Sequence, residues 1–335
     1  MRLVQIAHAS GERRVGEIED DTIRLLSGVA SVYDLVQDAL ASGATLAAAV
    51  ERRRSRESLD YGMTYRGVSE WRLLVPIDYP TEPARCLVSG TGLTHTQSAK
   101  NRQAMHAATD AATEAPTDSM RMYQWGVAGG RPAAGEIGAS PEWFYKGSGT
   151  VLRAHGEPLV APPHAEDGGE EPEIAGIYVI DGDGAPRRIG MAQGNEFSDH
   201  RFEKRNYLYL AASKLMTCAI GPELVLDADF TAVAGQVTIE RGGRTVWTKT
   251  IATGEANMCH SLANMEHHHF KHAAHRRPGD VHVHYFGADA FSFGEGVTLE
   301  DGDVMQVCFA GFGRALRNPL QVERTAQRNW AAVRL

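Results

Sequence analysis

The sequence contains only four cysteines among 335 residues, and no two of them form a Cys-x-x-Cys pair. Scattered thiols among apolar neighbours are typical of reduced, buried cysteines in a cytoplasmic protein. No apolar run approaches the roughly 20 residues that a membrane-spanning helix needs. The start, MRLVQIAHASGERR, passes from an alternating strand into a charged turn and does not resemble a signal peptide. We therefore expect a cytoplasmic protein with no membrane partner.

Several motifs that would define a function class are also missing. No G-x-G-x-x-G opens a helix after a strand, and the chain has no P-loop and no G-x-S-x-G. These absences argue against a dinucleotide cofactor, a phosphate-binding loop and a serine hydrolase elbow. The formal net charge of −8 argues against a general nucleic-acid binder, which would be basic.

The first 80 residues predict a small N-terminal α+β domain. Residues 1–26 alternate between apolar and polar side chains with polar turns, which is typical of hairpin strands. Ser31 can cap a helix that ends at Gly43, and a second helix is predicted over 44–54.

The remainder of the chain, 81–335, predicts one larger domain of many short strands. A proline-rich connector, PIDYPTEP, precedes it. Two helices are predicted, over 207–217 and 255–275. Segment 108–136 is rich in small residues and has little pattern, so we predict either a loop or lid over a site or a surface excursion.

The stretch GEEPEIAGIYVI places two carboxylates at the start of a predicted buried strand. Side chains at i and i+2 of a strand share a face, so Glu171 and Glu173 should lie roughly 6–7 Å apart. A Gly-rich turn follows, and a hairpin would return Glu196 of GNEFSDH to the same place. Three converging carboxylates suit Mg²⁺, Mn²⁺ or Ca²⁺. The alternative is that these are solvated turn residues.

A histidine-rich stretch, MEHHHFKHAAH, offers a competing signal. On a helix, His268 and His272 share a face at i, i+4, as zinc ligands can. His282 and His284 follow on one face of a strand. One interpretation is a zinc or nickel site of an unrelated hydrolase. The other, which we favour, is a helix that lines a substrate pocket, with Glu266 as a polar contact.

Six motifs in a fixed order resemble the fumarylacetoacetate hydrolase superfamily over roughly residues 84–320. They are Pro141-Glu-Trp-Phe-Tyr-Lys146, Glu171-Pro-Glu-Ile-Ala, Asn195-Glu196, Lys214 with Cys218-Ala-Ile-Gly-Pro222, the turns Pro278-Gly-Asp-Val and Leu299-Glu-Asp-Gly-Asp-Val304, and Gly311-Phe-Gly-Arg-Ala-Leu-Arg-Asn318. The segment from Asn195 to Pro222 is most similar to the superfamily's 2-keto-3-deoxy sugar-acid dehydratases, which serve bacterial sugar-acid catabolism. Two positions depart from the family: Glu196 stands for its Asp, and His200 for its usual Arg.

The resemblance implies an α+β fold, a mixed β-roll or sandwich with the small N-terminal domain attached, and a homodimer. It also implies a metal, Mg²⁺ or else Mn²⁺ or Ca²⁺, held by Glu171, Glu173 and Glu196. Lys214 would be the acid/base, with its pKa lowered by burial near a cation. The residues expected to contact a small-molecule 2-keto sugar acid are Lys146, Asn195, Ser198, Asp199, His200 and Glu266. Asp199 is also a fallback third or outer-shell ligand.

Three functions remain open at this stage. A metal-stabilised enolate can expel a β-hydroxyl, which would convert a 2-keto-3-deoxy pentonate into 2,5-dioxopentanoate. The same metal core serves C–C hydrolysis of an acylpyruvate or diketo acid. In the family's hydrolases a histidine near the position of His95 activates water with a carboxylate partner, but here His95-Thr-Gln-Ser98 lacks that carboxylate. His95 could instead protonate the leaving hydroxyl. The third possibility is a sugar-acid-binding protein without catalysis.

Overall fold

The computed structural model describes residues 1–107 and 117–335 and has the mixed α+β architecture that the sequence predicts. The described strands are β1 Arg2–His8, β2 Arg13–Glu19, β3 Thr22–Leu26, β4 Arg54–Asp60, β5 Trp71–Leu73, β6 Cys86–Gly92, β7 Glu142–Ser148, β8 Leu152–Arg153, β9 Leu159–Ala161, β10 Pro172–Ile180, β11 Pro186–Asn195, β12 Cys218–Ile220, β13 Leu224–Val225, β14 Val233–Arg241, β15 Arg244–Thr253, β16 Val281–Tyr285, β17 Val304–Phe309 and β18 Leu316–Val322.

The described α-helices are short, and none in residues 1–107 and 117–335 has the length and apolarity that crossing a bilayer requires. They are α1 Val32–Ser42, α2 Leu46–Arg53, α3 Tyr61–Tyr65, α4 Thr96–Ala107, α5 Asp118–Gly129, α6 His200–Arg205, α7 Leu210–Ser213 and α8 Leu262–Phe270. Helix α1 begins and ends as predicted: the Ser31 side chain accepts the amide of Asp34, and Gly43 adopts a left-handed conformation with φ of 62°.

Two sheets organise the described chain. The larger has the order β4-β3-β2-β1-β13-β11-β10-β16-β6-β7, with β5 beside β1 and β12 beside β11 and β8. The smaller has the order β15-β14-β17-β18-β9. Strand β10 lies between β11 and β16 and is buried along its whole length, which explains its nearly continuous apolar sequence.

The apolar core crosses from the N-terminal residues into the larger body. One cluster joins Val32, Leu35 and Val36 of α1 to Val281 and Val283 of β16. In addition, β1 pairs directly with β13, at Arg2 opposite Val225 and Leu3 opposite Leu224. The predicted domain boundary at residue 80 stays a prediction. The four cysteines are free thiols, and Cys86, Cys218 and Cys259 are buried.

Several helix predictions need correction. Helix α4 was missed, because TQSAKNRQAMHA has little apolar periodicity. Helix α5 lies within segment 108–136, which was expected to be a loop, a lid or a surface excursion. Residues 108–116 of that segment lie outside the described part of the chain. The two helices predicted after residue 200 are shorter than expected. The first is the single turn of α7 after a 3₁₀ turn. The second contains one α-helix, α8, between 3₁₀ turns at Glu255–Asn257 and Ala273–His275.

Candidate metal centre and active site

The hairpin of β10 and β11 brings the predicted metal ligands together. Glu173 lies opposite Gly194 in the ladder, and the amide of Glu196 donates to the carbonyl of Glu171 at 2.9 Å. The register therefore returns Glu196 to the start of β10. One carboxylate oxygen from each of Glu171, Glu173 and Glu196 lies within 4.8 Å of the other two. We call these three residues the acidic cluster.

Two lysines supply the positive charge next to the acidic cluster. The Nζ atom of Lys214 lies 2.5 Å from an oxygen of Glu171 and 2.5 Å from an oxygen of Glu196. Lys146 lies 2.6 Å from the other oxygen of Glu196 and also donates to the carbonyl of Phe197. Both lysine side chains are fully buried. The structure therefore brings together five of the predicted site residues.

Beside these carboxylates alone, the pKa of Lys214 is raised, and the lowered pKa expected near a bound cation stays a prediction. Burial alone would lower the pKa of this lysine, but the charges of Glu171 and Glu196 outweigh it. With these partners Lys214 is an ammonium that can donate a proton. Its ammonium also lies 4.8 Å from the centre of the Phe144 ring, which closes one side of the site.

The carboxylates of the acidic cluster differ in charge state. Burial, followed by the charges of Glu196 and Glu171, raises the pKa of Glu173 well above its usual range. Burial also acts to raise the pKa of Glu171, but Lys214 and His200 lower it well below that range. Glu171 is therefore an ionised carboxylate beside Glu173, whose ionisation is unfavourable. A bound divalent cation would lower the pKa of Glu173 and favour its ionised form.

The residues present fit a hard divalent cation. Within the described residues, no hydrogen bond reaches Oε2 of Glu171 or Oε1 of Glu173. Three buried carboxylates, two of which keep an oxygen without a hydrogen bond, form the ligand set that Mg²⁺, Mn²⁺ or Ca²⁺ prefers. The acidic cluster can thus hold a metal, and it is the one group of this kind in residues 1–107 and 117–335.

Some of the predicted substrate contacts lie beside the acidic cluster, and others accept hydrogen bonds from backbone amides. Ser198 donates to Oε1 of Glu196 at 3.1 Å, and His200 lies 3.0 Å from Oε1 of Glu171. Asn195 accepts the amide of Glu171 at 3.2 Å. Asp199 caps α6 and binds backbone amides with both oxygens, so its carboxylate is not turned to the acidic cluster as a third ligand.

Glu266 is separated from the acidic cluster. It accepts the hydroxyl of Tyr178 at 2.9 Å and pairs with Arg188 at 2.5 Å, both near the opposite end of the β10–β11 hairpin. The sequence-based expectation assumed that the histidine-rich helix lines the substrate pocket. Helix α8 instead presents Asn264 and His268 to the backbone of residues 138–139.

His95 is buried at the start of α4 between two hydroxyl groups. Its ring nitrogens lie 2.9 Å from Thr94 Oγ1 and 3.1 Å from Thr253 Oγ1. Burial lowers the pKa of His95 to about 4, so the ring is neutral near pH 7. No carboxylate of the described residues hydrogen-bonds to it, which agrees with the absence of an acidic residue at 98.

A second buried ion network next to the site was missed by sequence reasoning. Arg102 of α4 lies 2.8 Å from Glu142 and 2.9 Å from Glu203, and Tyr207 donates to Glu142 at 2.9 Å. These residues are far apart in sequence, so no local spacing connects them. The one available signal was on β7, where Glu142, Phe144 and Lys146 alternate as buried positions.

Comparisons with known proteins identify the fold. No family model matches the chain, and no curated protein matches its sequence. A 2-keto-3-deoxy-D-arabinonate dehydratase complexed with magnesium and 2,5-dioxopentanoate matches with a TM-score of 0.71 at 20% identity, over 97% of this chain and 100% of that chain.

Two isomerases of known structure are also similar. The 5-carboxymethyl-2-hydroxymuconate delta-isomerase from Mycobacterium smegmatis has a TM-score of 0.58 at 18% identity, over 96% of this chain and 100% of that chain. The 2-hydroxyhepta-2,4-diene-1,7-dioate isomerase from Mycobacterium marinum has a TM-score of 0.58 at 18% identity, over 97% and 100%. The chain therefore has the fold that these dehydratase and isomerase structures share, and the predicted resemblance is confirmed at the level of the fold.

Proposed function

We propose that this protein is a metal-dependent hydro-lyase that removes one water from a 2-keto-3-deoxy pentonate of the 2-dehydro-3-deoxy-arabinonate type and gives 2,5-dioxopentanoate. The observation that carries the proposal is the acidic cluster, whose three carboxylates lie within 4.8 Å of one another with Lys214 between two of them. The higher TM-score to the dehydratase, 0.71 against 0.58 for the isomerases, supports the same branch.

The chain's own residues supply the proton transfer and the orientation. A divalent cation, when bound by Glu171, Glu173 and Glu196, supplies Lewis-acid stabilisation of the negative charge that develops on the keto oxygen. Lys214 is proposed to move one proton at Nζ: with a cation held by its carboxylate partners, the amine would take the C3 proton, and the same proton would pass to the leaving β-hydroxyl, which departs as water. Lys146, which keeps one of its three donors beyond Glu196 and Phe197, is proposed to bind the substrate carboxylate.

The hydroxyl partners of His95, which stand in place of a carboxylate, favour dehydration over C–C hydrolysis. A water-activating histidine needs a partner that stabilises the imidazolium, and both nitrogens of His95 meet hydroxyl groups instead. The pKa of about 4 also makes His95 a weaker candidate than Lys214 for the acid. The homodimer, the cytoplasmic location and the role in pentose catabolism remain predictions, as do the two alternatives for segment 108–136, a loop or lid and a surface excursion.

An assay with two substrates tests the proposal. Protein stripped of metal is given Mg²⁺ or Mn²⁺ and incubated with 2-keto-3-deoxy-arabinonate or with an acylpyruvate, and products are identified by mass. Loss of one water from the pentonate, dependent on added metal, is the expected result. Pyruvate from the acylpyruvate without dehydration would assign a hydrolase, and binding of the pentonate without turnover would assign a non-catalytic protein.

A further inference from the structure

The imidazole of His200 is held in one orientation by its surroundings. The ring stacks against Phe291, with 4.8 Å between ring centres and 12° between planes, and against Phe293, with 5.2 Å between ring centres and 29° between planes. A Cβ atom placed on Gly169 would lie 2.5 Å from Nδ1, so the ring edge also meets backbone with no room for a side chain. Only 1% of His200 is exposed to solvent.

The loop that provides the two phenylalanines is fastened to the start of the metal-site strand. Ser292, between them, donates its amide to Glu170 at 2.6 Å and its hydroxyl to the other oxygen of Glu170 at 2.8 Å. Glu170 directly precedes Glu171. The loop that packs on the His200 ring is therefore hydrogen-bonded to the residue next to Glu171, the carboxylate that the ring contacts.

The contact between His200 and Glu171 leaves one carboxylate oxygen available. Nε2 of His200 lies 3.0 Å from Oε1 of Glu171, the same oxygen that Lys214 reaches at 2.5 Å. No hydrogen bond of the described residues reaches Oε2. Two donors on one oxygen fix the carboxylate plane and direct the other oxygen away from them.

We propose that His200 is a positioning residue for the metal site: it holds Oε1 of Glu171 so that Oε2 is presented to the divalent cation, and it does not contact the substrate. This inference rests on the proposed function, because it assumes that the acidic cluster binds a metal. It differs from the sequence-based expectation, in which His200 was a substrate contact. Phe291 and Phe293 stack on the buried ring, and its Nδ1 has no hydrogen-bond partner in the described chain.

Metal affinity measured without substrate tests the inference. Binding of Mn²⁺ to the metal-stripped full chain is followed by the loss of the free-ion electron paramagnetic resonance signal, in wild type, His200→Leu and His200→Gln. Leucine keeps most of the volume but cannot donate, and we expect the Mn²⁺ Kd to rise by about 10–100-fold. Glutamine keeps an amide donor, and we expect its Kd to stay closer to the wild-type value than that of leucine.

His284→Leu is the matched control. His284 is as buried as His200, at 1% exposure, and the substitution also removes hydrogen bonds, here to Ser89 and Thr91. His284 does not contact the acidic cluster. The substitution should lower the melting temperature and leave the Mn²⁺ Kd unchanged. Equal Kd values in wild type and His200→Leu would overturn the positioning role alone. An unchanged Kd with a raised KM for the keto acid would make His200 a substrate contact. Absence of Mn²⁺ binding in wild type would overturn the proposed metal site itself.

Discussion

The large sheet carries two buried polar clusters on opposite faces, and they differ in charge. Two successive residues of β7 contact different clusters. Trp143 Nε1 lies 3.1 Å from Nδ1 of His269, whereas the ring of Phe144 lies under the ammonium of Lys214. We call His269, His282 and His284 the histidine cluster. The acidic cluster contains the ionised Glu171 and keeps one oxygen each of Glu171 and Glu173 without a hydrogen bond from the described residues, whereas the histidine cluster is neutral and mostly hydrogen-bonded.

The hydrogen bonds of the histidine cluster fix the tautomers of His269 and His282. An indole N–H can only donate, so Nδ1 of His269 accepts from Trp143. Nε2 of His269 then carries the proton and donates to Nδ1 of His282 at 3.0 Å. His284 lies between the hydroxyls of Ser89 and Thr91, at 2.8 Å each.

The comparison teaches that a count of metal-ligating residue types does not locate a metal site. The histidine-rich sequence offered more candidate ligands, but its ring nitrogens bind protein groups or carry protons. The acidic cluster offers three buried carboxylates close together, where like-charge repulsion favours the binding of a cation. Ligand availability and local charge decide between them.

Removing a carboxylate from the acidic cluster should have the largest effect. Glu171→Ala is expected to abolish Mn²⁺ binding and metal-dependent turnover, a loss greater than the roughly 10–100-fold typical of outer-shell changes. Turnover and Mn²⁺ titration are measured together. Glu266→Ala is the matched control, because the structure places that carboxylate with Tyr178 and Arg188, and it should keep near wild-type activity. Activity that survives Glu171→Ala would exclude the assigned site.

Acid should destabilise the protein through the histidine cluster. Burial lowers the pKa of His282 and of His284 to about 3, below the value near 6.5 expected in the unfolded chain. Their contribution is therefore complete above about pH 6.5 and is lost as pH falls toward 3, with a cost on the order of 2 kcal/mol per residue at pH 5.

Urea unfolding at pH 7.5 and pH 5.0 checks this expectation. His284→Gln should be less stable than wild type at pH 7.5 but should lose less stability on acidification, because one proton-uptake site is gone. Parallel pH profiles for the two proteins would show that His284 titrates alike in the folded and unfolded chains.

Neutralising the carboxylate that resists ionisation should separate stability from metal binding. Glu173→Gln relieves like-charge repulsion with Glu171 and Glu196, so the metal-free protein should gain about 1–2 kcal/mol of unfolding free energy. The melting temperature should rise without metal, and the further rise on adding Mn²⁺ should disappear. A variant that is both more stable and still stabilised by Mn²⁺ would remove Glu173 from the ligand set.

The smallest effect on the free energy of unfolding is expected at Trp143 of β7, the strand that contacts both clusters. Trp143→Phe removes the donor to His269 and should cost about 1 kcal/mol of unfolding free energy. It should leave the Mn²⁺ Kd unchanged, because the indole contacts the histidine face of the sheet. Measured changes in both quantities would show that the two faces are coupled through β7.

The acidic cluster was predictable because its geometry is local. The i, i+2 spacing of Glu171 and Glu173 and the turn before β11 define which side chains meet, and the hairpin register agrees. By contrast, the network of Arg102, Glu142 and Glu203 joins α4, β7 and α6, which only the tertiary fold brings together. Its arginine also lies in a helix without apolar periodicity.

The pKa of Lys214 shows a second limit of sequence reasoning. Its type and position predicted a lysine near the carboxylates, but the direction of its pKa depends on how many of them it contacts. Contact with two carboxylates raises the pKa, whereas burial near a cation would have lowered it. The spacing of residues along the chain does not predict how many carboxylates Lys214 contacts.

The pairing of β1 with β13 has a consequence for biosynthesis. The backbone groups of Arg2 and Leu3 find their ladder partners at residues 224–225, and Glu223 accepts from both Arg2 and Tyr61. A chain emerging from the ribosome would therefore expose this strand edge until more than two hundred further residues have been translated. We expect a nascent fragment of the first 80 residues to need protection by a chaperone until β13 arrives.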